Sequence, residues 1–437
     1  MTAAGERDDA TSLEGRFATI VWLLGLAALA TRLVLQRFEP LPPSKKVVAD
    51  EVWYARVAHS VVHGHGFALS SYTGSYVQTA LHGPLTVLLL LPASVVQPYG
   101  YTAQRATIAL LGALAVVVIG YAGRELGGAR VGVLAAILAL AYPGLWVNDL
   151  VATSETPAVL LLAVILLLTL RYRRRPSTAG LVSLGLATGL LALDRAELAV
   201  LGLLLAVPAL VAASRSVPNR AAALVRSLAV VGVLAVGVVV PWSAYNQARF
   251  HQTVLISNNL GQTLVGANCP QSYYGPLTGY DGNTCFLPVL YRVPHGLNEA
   301  GVDSYFRHEA VHYALAHWHR WPVVAVMREL WLWSLWRPGW TVFMSGVYLG
   351  RPQWIAWTQV VTFWLLAPLA IYGLVVARRR KVPVAALVTM VAFTAALGLL
   401  VVGHLRYRIP TEIAFVLLGS VALDELLFAR RARAAAN

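Results

Sequence analysis

The sequence predicts an all-α polytopic membrane protein with about ten transmembrane helices. Apolar residues make up 58% of its 437 residues and charged residues 12%, which is far from the balance of a soluble domain. Runs of about 20 mostly apolar residues, the length of a membrane-spanning helix, recur along the chain. Basic residues sit in short clusters between these runs, so the net charge of +14 indicates cytoplasmic loops and not a nucleic-acid-binding surface.

Ten apolar runs are long enough to be predicted as spans. They cover residues 17–35, 104–123, 130–147, 157–170, 178–193, 197–213, 226–241, 354–377, 382–402 and 411–428. The polar start leads into the first run without a small-residue cleavage site, so that run is predicted to be retained. The run 84–96 is too short to cross and is predicted to form an interfacial or re-entrant helix.

The basic clusters fall on alternate loops between the predicted spans. They are Arg124 and Arg130, residues 171–175, the group Arg215, Arg220 and Arg226, residues 378–381, and the tail 430–433. The positive-inside rule places these loops in the cytoplasm, together with both termini, for a protein of the plasma membrane. A span at 84–96 would turn every later basic loop outward, which argues against one.

This topology leaves three outer segments, 36–83, 148–156 and 242–351, and divides the chain into three parts. An N-terminal transmembrane module (1–241) contains the first outer loop, a loop-rich extracytoplasmic insert (242–351) follows, and the C-terminal transmembrane helices (352–437) complete the chain. Cys269 and Cys285 both lie in the insert. Because an outer loop is oxidising, we expect a disulfide between them, the alternative being two unpaired thiols.

The first outer loop carries a pair of acids, Asp50 and Glu51. They begin a predicted interfacial helix with an apolar face of Val52, Ala55, Ala58 and Val62. This helix would hold Asp50 at the membrane surface, where a lipid-linked substrate presents its head group, and carboxylates near the bilayer are costly and usually functional. The alternative is that Asp50 only caps the helix.

A third acid, Glu155, lies in the second outer loop. Ser154 is a good N-cap for the next span, and Glu155 in the first turn suits the helix dipole, so a structural role alone would explain both. Asp50 and Glu155 nevertheless lie at the same interface on separate loops, and paired carboxylates suit general-base chemistry on a hydroxyl. The sequence leaves both interpretations open.

Three arginines are predicted on outer turns: Arg195 between two spans, and Arg406 and Arg408 before the last span. Arginine suits bidentate phosphate binding, and it is unexpected on a short outer turn by the positive-inside rule. All three are therefore candidates for substrate binding. The alternative is contact with lipid head groups, or an ion pair such as that of Asp194 with Arg195.

Histidines form two groups in the outer segments. The first comprises His59, His63 and His65, and the second His308, His312, His317 and His319. His59 and His63 are four residues apart and could share a helix face and a divalent metal. Since no metal-binding signature accompanies them, no cofactor is predicted and a metal is left open.

Tryptophans cluster at the end of the insert, at Trp331, Trp333, Trp336 and Trp340. They are predicted to mark the membrane interface, with stacking on sugar or prenyl groups as a second use. The sequence contains no G-x-G-x-x-G after a strand and no P-loop. A nucleotide-activated donor therefore has no predicted binding domain.

The short motifs of the first half come in a distinctive order. They are Asp50-Glu51 with Tyr54 after one span, His82-Gly83-Pro84-Leu85 heading a short helix, Arg105 near the start of a span, and Glu155-Thr156-Pro157 after the third span. This order resembles that of the GT-C membrane glycosyltransferases of the family 39-like group, which includes protein O-mannosyltransferases and the bacterial lipid A aminoarabinose transferase. The resemblance covers residues 11–213 and the overall topology.

The resemblance implies a GT-C fold, a polyprenyl-phosphate sugar donor and a reaction that usually inverts the anomeric centre. In the family, the acid at the position of Asp50 is the candidate catalytic base, with Glu51 beside it. The acid that corresponds to Glu155 completes the predicted catalytic set. Tyr54, His82 and Arg105, which belong to the motifs of the resemblance, are assigned to substrate binding. The three arginines of the outer turns, Arg195, Arg406 and Arg408, are assigned to substrate binding as well. The chain departs from the family where Glu155 replaces an Asp and Gly83-Pro84 replaces a Pro-Pro pair.

The predicted function is therefore transfer of a sugar from a polyprenyl-phosphate donor to a hydroxyl of a lipid, glycan or protein acceptor, with membrane lipids as the other partners and no nucleic acid. A transporter or flippase for a lipid-linked glycan is the main alternative, since charges near the bilayer could line a permeation path. It would require inverted repeats and broken helices, which the sequence does not display. A non-catalytic scaffold is a third interpretation. It would not explain why Asp50 and Glu155 are both predicted on the same side of the membrane.

Overall fold

The computed structural model describes residues 3–38, 49–70, 74–97, 100–215 and 217–429. The predicted basic tail 430–433 lies outside these residues. The first half contains α1 (Ala3–Phe38), α2 (Ala49–Val62), β1 (Ala68–Ser70), β2 (Tyr76–Gln78), α3 (Pro84–Val96), α4 (Thr102–Ala141), α5 (Pro143–Trp146), α6 (Glu155–Arg174), α7 (Thr178–Asp194) and α8 (Leu198–Ser214). The second half contains α9 (Arg220–Phe250), α10 (Leu260–Ala267), α11 (Pro270–Tyr273), α12 (Phe286–Leu290), α13 (Glu299–Ala316), α14 (Trp321–Leu332), α15 (Pro338–Leu349), α16 (Gln353–Arg379), α17 (Ala385–Leu400) and α18 (Ile409–Asp424).

The protein is a membrane-embedded helical bundle, as the sequence predicts. Each of the ten predicted spans falls on helix, and the short run 84–96 forms α3 with those bounds. Five helices of the described chain are long and apolar enough to cross a bilayer: Ser12–Phe38 of α1, then α4, α6, α9 and α16. Shorter apolar helices are α3, α7, α8 and α17.

Helix α4 contains two of the predicted spans, joined by a tight turn at Gly127 and Gly128. Gly128 has a φ of 85°, a left-handed conformation that a side chain disfavours. The two halves then run back along each other, because a Cβ built at Gly123 would lie only 2.7 Å from the Cβ of Ala135. Small residues allow such close helix contact within a membrane. The two spans therefore form a helical hairpin.

The main core lies where this hairpin meets its neighbours. Helix α1 packs against α4, α4 packs against α6 and α18, and α16 packs against α18. The buried side chains there are mostly Ala, Val, Leu and Ile. Within lipid such a bundle is held together by close packing, because burying apolar surface gains little over lipid contact. The bundle thereby fixes the ends of α4, α6, α7 and α18 that carry the site.

The insert consists of the short helices α10 to α15 joined by loops, and it is attached to the first outer loop. Helix α9 passes the end of its predicted span and reaches Phe250. At the start of α13, Glu299 accepts hydrogen bonds from Thr79 Oγ1 (2.6 Å), the Ala80 N–H (2.7 Å) and Asn258 Nδ2 (3.1 Å). These bonds hold the insert against the segment that leads to His82.

Cys269 and Cys285 form a disulfide in the insert, with their Cα atoms 6.2 Å apart. The bond closes the segment between α10 and α12. Gly282 packs directly on it, since a Cβ built there would lie 2.9 Å from Cys269 Sγ and 3.0 Å from Cys285 Sγ. The disulfide thereby supports the loop that carries Asp281.

Candidate active site

Arg406 joins the two acids that the sequence places on separate outer loops. It lies in the short 3-10 turn Leu405–Arg408, which leads into α18. Its Nη2 donates to Asp50 Oδ2 at 2.6 Å, and its Nε donates to Glu155 Oε1 at 2.6 Å. The first loop, the second loop and the turn before the last span therefore meet at one arginine.

Asp50 lies in the first turn of α2, and its carboxylate points to this arginine and not to the helix N–H groups. The capping alternative therefore does not describe its contacts. His82 Nε2 lies 3.7 Å from Asp50 Oδ1 on the other side. Burial by itself raises the pKa of the Asp50 carboxyl, but the positive charge and the hydrogen bond of Arg406 act against burial, and this pKa lies below its usual value. Asp50 is thus an ionised carboxylate with a cation in contact.

Glu155 begins α6 and is almost fully buried, with 2% of its side chain exposed. Besides Arg406, Arg195 Nη1 donates to Glu155 Oε1 at 3.1 Å. Arg195 also donates to Glu197 Oε1 at 2.7 Å and to Ser154 Oγ at 3.3 Å. The Ser154 side chain makes no capping hydrogen bond to the helix, which differs from the predicted cap. Glu155 and two arginines form the cationic side of the site.

The alternative interpretation of the sequence was an ion pair between Asp194 and Arg195. In the structure Asp194 has a different partner. Its Oδ1 accepts a hydrogen bond from Thr86 Oγ1 of α3 at 2.6 Å. The α7 terminus also approaches the segment before α3, because a Cβ built at Gly83 would lie 2.2 Å from the Leu193 carbonyl oxygen. Glycine is therefore required at position 83, which explains this departure from a Pro-Pro pair.

Aromatic rings form the wall beside Asp50. The His82 ring stacks on Tyr54 with centroids 5.1 Å apart and meets Trp53 edge-on at 4.9 Å. Tyr54 is 1% exposed and Trp53 5%. Burial is the largest influence on His82 and lowers its pKa, so the imidazole is neutral at pH 7. The wall holds an uncharged nitrogen and an apolar surface against the acid.

No family model matches this sequence, and no curated protein matches it. Solved structures do. The Archaeoglobus fulgidus oligosaccharyltransferase in complex with Zn and sulfate matches 94% of this chain and 50% of its own, at 16% identity and a TM-score of 0.54. The oligosaccharyltransferase AglB of the same organism, in complex with an inhibitory peptide and a dolichol-phosphate, matches 94% of this chain and 52% of its own. The identity is 16% and the TM-score is 0.52. The chain has the GT-C fold.

This confirms the predicted fold, and likeness at such identity concerns the fold alone. The chain spans about half the length of those oligosaccharyltransferase chains. ArnT from Cupriavidus metallidurans bound to undecaprenyl phosphate matches 95% of this chain and 79% of its own, at 15% identity and a TM-score of 0.42.

Within this GT-C fold, Glu51 and Arg105 form an ion pair with each other. Neither side chain hydrogen-bonds to Asp50 in the part of the chain that the structure describes. Arg105 donates to both Glu51 oxygens, at 2.7 and 2.6 Å. Glu51 Oε1 also accepts the Ala152 N–H at 2.9 Å. These bonds join α2 to α4 and to the loop that precedes Glu155. In this structure the two residues therefore join the elements around the site, and their predicted roles in catalysis and substrate binding stay predictions.

Arg408 differs from its predicted placement on the outer surface. Its guanidinium is fully buried, donates to Glu412 Oε1 at 2.8 Å and lies 3.8 Å from the centre of the Phe363 ring. It points into the bundle because a 3-10 turn places residues 406 and 408 on different sides. Of the two arginines before the last span, Arg406 is the one that contacts the acids.

A second layer of buried ions was not predicted from the sequence. Arg32 of α1 donates to Asp149 Oδ2 at 2.7 Å, and Thr156 Oγ1 donates to Oδ1 at 2.7 Å. Arg351 donates to Asn148 Oδ1 at 2.7 Å. The available signal was Arg32 itself, since an arginine within an apolar run needs a partner. These pairs hold the second outer loop in place.

The histidine and tryptophan clusters lie mostly apart from the acids. The His59 and His63 rings are 3.9 Å apart, but no group of three or more His, Cys, Asp or Glu side chains suited to a metal occurs among the described residues. Trp331 is wholly buried and donates to the Thr278 carbonyl at 2.9 Å, so it does not mark the interface as predicted. Trp336 is 40% exposed.

Proposed function

We propose that this protein is a glycosyltransferase that moves a sugar from a polyprenyl-phosphate donor to a hydroxyl acceptor at the outer face of the cytoplasmic membrane. The observation that carries the proposal is the direct contact of Arg406 with both Asp50 and Glu155. A carboxylate able to take a proton thus lies next to a cation able to bind a phosphate. The GT-C fold supports the proposal, as does the dolichol-phosphate bound in a solved oligosaccharyltransferase of similar fold.

In the proposed reaction, Asp50 accepts the proton of the acceptor hydroxyl while the hydroxyl oxygen attacks the anomeric carbon of the donor sugar. The bond between that carbon and the phosphate oxygen breaks, and polyprenyl phosphate leaves with the electron pair. Attack opposite the leaving group inverts the anomeric centre. Arg406 and Arg195 stabilise the phosphate charge that develops, because guanidinium groups bind phosphate oxygens in pairs.

The contact of Arg406 with Asp50 also sets the order of events. While the pair is intact, Arg406 keeps the pKa of Asp50 low, and a carboxylate with a low pKa is a weak base. A donor phosphate competes with Asp50 for the same guanidinium. Once Arg406 binds the phosphate, burial raises the pKa of Asp50 and makes it a stronger base. Donor binding therefore activates the acid that accepts the acceptor proton.

A transfer assay tests the proposal. Membranes that contain the protein are incubated with radiolabelled polyprenyl-phosphate mannose or, separately, arabinose, and the label is followed out of the donor. We expect label in a non-donor product from membranes with the protein, and none from matched membranes without it. Equal incorporation by both membranes, with each donor, would contradict the proposal.

The proposed orientation has its own test. Gln252 follows α9 in the insert and Arg379 ends α16, and both are exposed. We expect Gln252→Cys to react with an impermeant thiol reagent in intact cells, and Arg379→Cys to react only after the membrane is opened, because basic loops stay inside. Labelling of Arg379→Cys in intact cells would overturn the orientation and the outward-facing site.

A further inference from the structure

One acid of the insert lies beside this site and has no part in the proposed reaction. Asp281 follows Tyr280, whose ring packs against Trp331 at 4.7 Å and lies 6.1 Å from the His404 ring. His404 Nδ1 in turn accepts the N–H of Arg406 at 3.2 Å. The insert therefore places Asp281 next to the turn that carries Arg406.

The position of Asp281 is set by its surroundings. A Cβ built at Gly266 would lie 2.2 Å from Asp281 Oδ1, so the carboxylate rests directly on the backbone of α10. The next residue, Gly282, donates its N–H to the Gly266 carbonyl at 2.9 Å and packs on the disulfide. Arg328 of α14 donates to the neighbouring Ala267 carbonyl at 2.6 Å. The carboxylate is thus held by backbone contacts and not by a partner of its own.

The Asp281 carboxylate is only partly satisfied within the protein. Its Oδ1 is shielded from solvent and accepts no hydrogen bond from the residues that the structure describes, while the residue as a whole is partly exposed. Burial raises its pKa to about 6, and the charges of Arg406 and Arg328 counteract that effect only in part. An unpaired, partly buried carboxylate costs stability, and such groups cluster at functional sites.

We propose that Asp281 binds the acceptor by accepting a hydrogen bond from one of its hydroxyl groups. The inference rests on the proposed function, and it concerns the acceptor because the donor phosphate is an anion that a carboxylate repels. Asp50 and Glu155 already share Arg406, whereas Asp281 pairs with no cation among the described residues. Its Oδ1 rests on α10, so a hydroxyl-rich acceptor that enters under the insert would donate to the other oxygen, Oδ2, and lie across Arg406 from the donor.

The ionisation of Asp281 gives the proposal a signature in pH. The charged and titratable groups that face it are Arg328 on α14 and, on the opposing turn, His404, Arg406 and Tyr407. Between pH 5 and pH 8 these four keep their charge state, since the pKa of His404 is about 3 and that of Tyr407 about 12, and arginines stay protonated. Loss of acceptor affinity below about pH 6 is therefore expected to come from Asp281.

The test varies acceptor and donor separately. Membranes of a strain that lacks this protein supply the acceptor and are titrated against purified protein with labelled polyprenyl-phosphate sugar. We expect Asp281→Ala to raise the half-saturating amount of membranes at least tenfold, with less than a twofold change for the donor. Asp281→Asn, which keeps an acceptor oxygen, is expected to have a smaller effect that no longer depends on pH between 5 and 8.

Glu309→Gln is the matched control, because Glu309 is an insert carboxylate on α13 that pairs with Arg292 at 3.5 Å. Its half-saturation values should equal those of the unmodified protein. The inference would be overturned, and the proposed function left intact, by either of two results. The half-saturating amount of acceptor membranes could be the same for Asp281→Ala and the unmodified protein, or the half-saturating amounts of donor and acceptor could rise by the same factor. Absence of any transfer by the unmodified protein would instead overturn the proposed function, and this inference with it. A melting temperature of Asp281→Asn at pH 8 below that of the unmodified protein would identify a structural role.

Discussion

Replacing Asp50 by Asn is expected to lower the rate of sugar transfer by about 10²–10⁴, the usual contribution of a general base. Asparagine has nearly the same shape as aspartate, and its amide oxygen can still accept the Arg406 hydrogen bond. It cannot accept the acceptor proton at neutral pH. The variant should therefore fold like the unmodified protein and bind donor at least as tightly, because a neutral amide competes less than a carboxylate for Arg406. The measurement is kcat for labelled donor with both substrates saturating.

Asp424→Asn provides the matched control for this loss. Asp424 pairs with Arg380 at 2.6 Å, the same kind of contact at the far end of α18, and its removal should leave kcat unchanged. Turnover of Asp50→Asn within threefold of the unmodified protein would contradict the assignment of Asp50 as the base.

Replacing Arg406 by Gln is expected to have the second large effect, about 10²–10³ in kcat, the size found when one electrostatic contact to a transition state is removed. The leaving phosphate loses its nearest cation. The shape of the pH profile should change as well. Arg406 lowers the pKa of Asp50 against the effect of burial, so its removal raises that pKa. Since Asp50 must be ionised to act, the acidic limb of kcat should move to higher pH.

The pH profile separates this prediction from simple loss of structure. A variant that is only partly folded would lose rate equally at every pH. Arg380→Gln, which removes an arginine from an Asp–Arg pair outside the site, should keep both rate and profile. An acidic limb that stays in place, or moves to lower pH, in Arg406→Gln would contradict the role given to Arg406.

The transmembrane part of the fold was largely predictable because its signals are local. Apolar runs separated by basic clusters gave helices at all ten expected places, and the short run 84–96 gave α3 with the same bounds. The hairpin within α4 could be read from the two spans, but its tight turn depends on the left-handed Gly128. Local composition thus determines which segments form apolar helices.

The candidate site was predictable only in part because its contacts join distant segments. The sequence indicated Asp50, Glu155 and Arg406 as candidates, but their contact spans more than 200 residues of chain. It did not reveal that Glu51 and Arg105 neutralise each other, or that Arg408 turns inward to Glu412. Asp281 gave no signal, since a lone aspartate between glycine-rich turns is common in loops.

The central claim is that Arg406 exchanges Asp50 for the donor phosphate. A structure of the protein with polyprenyl phosphate bound tests it most directly. We expect a phosphate oxygen within hydrogen-bond distance of the Arg406 guanidinium, and an Asp50 carboxylate that no longer contacts Arg406. A phosphate bound away from Arg406, with the Asp50–Arg406 contact of 2.6 Å unchanged, would contradict it.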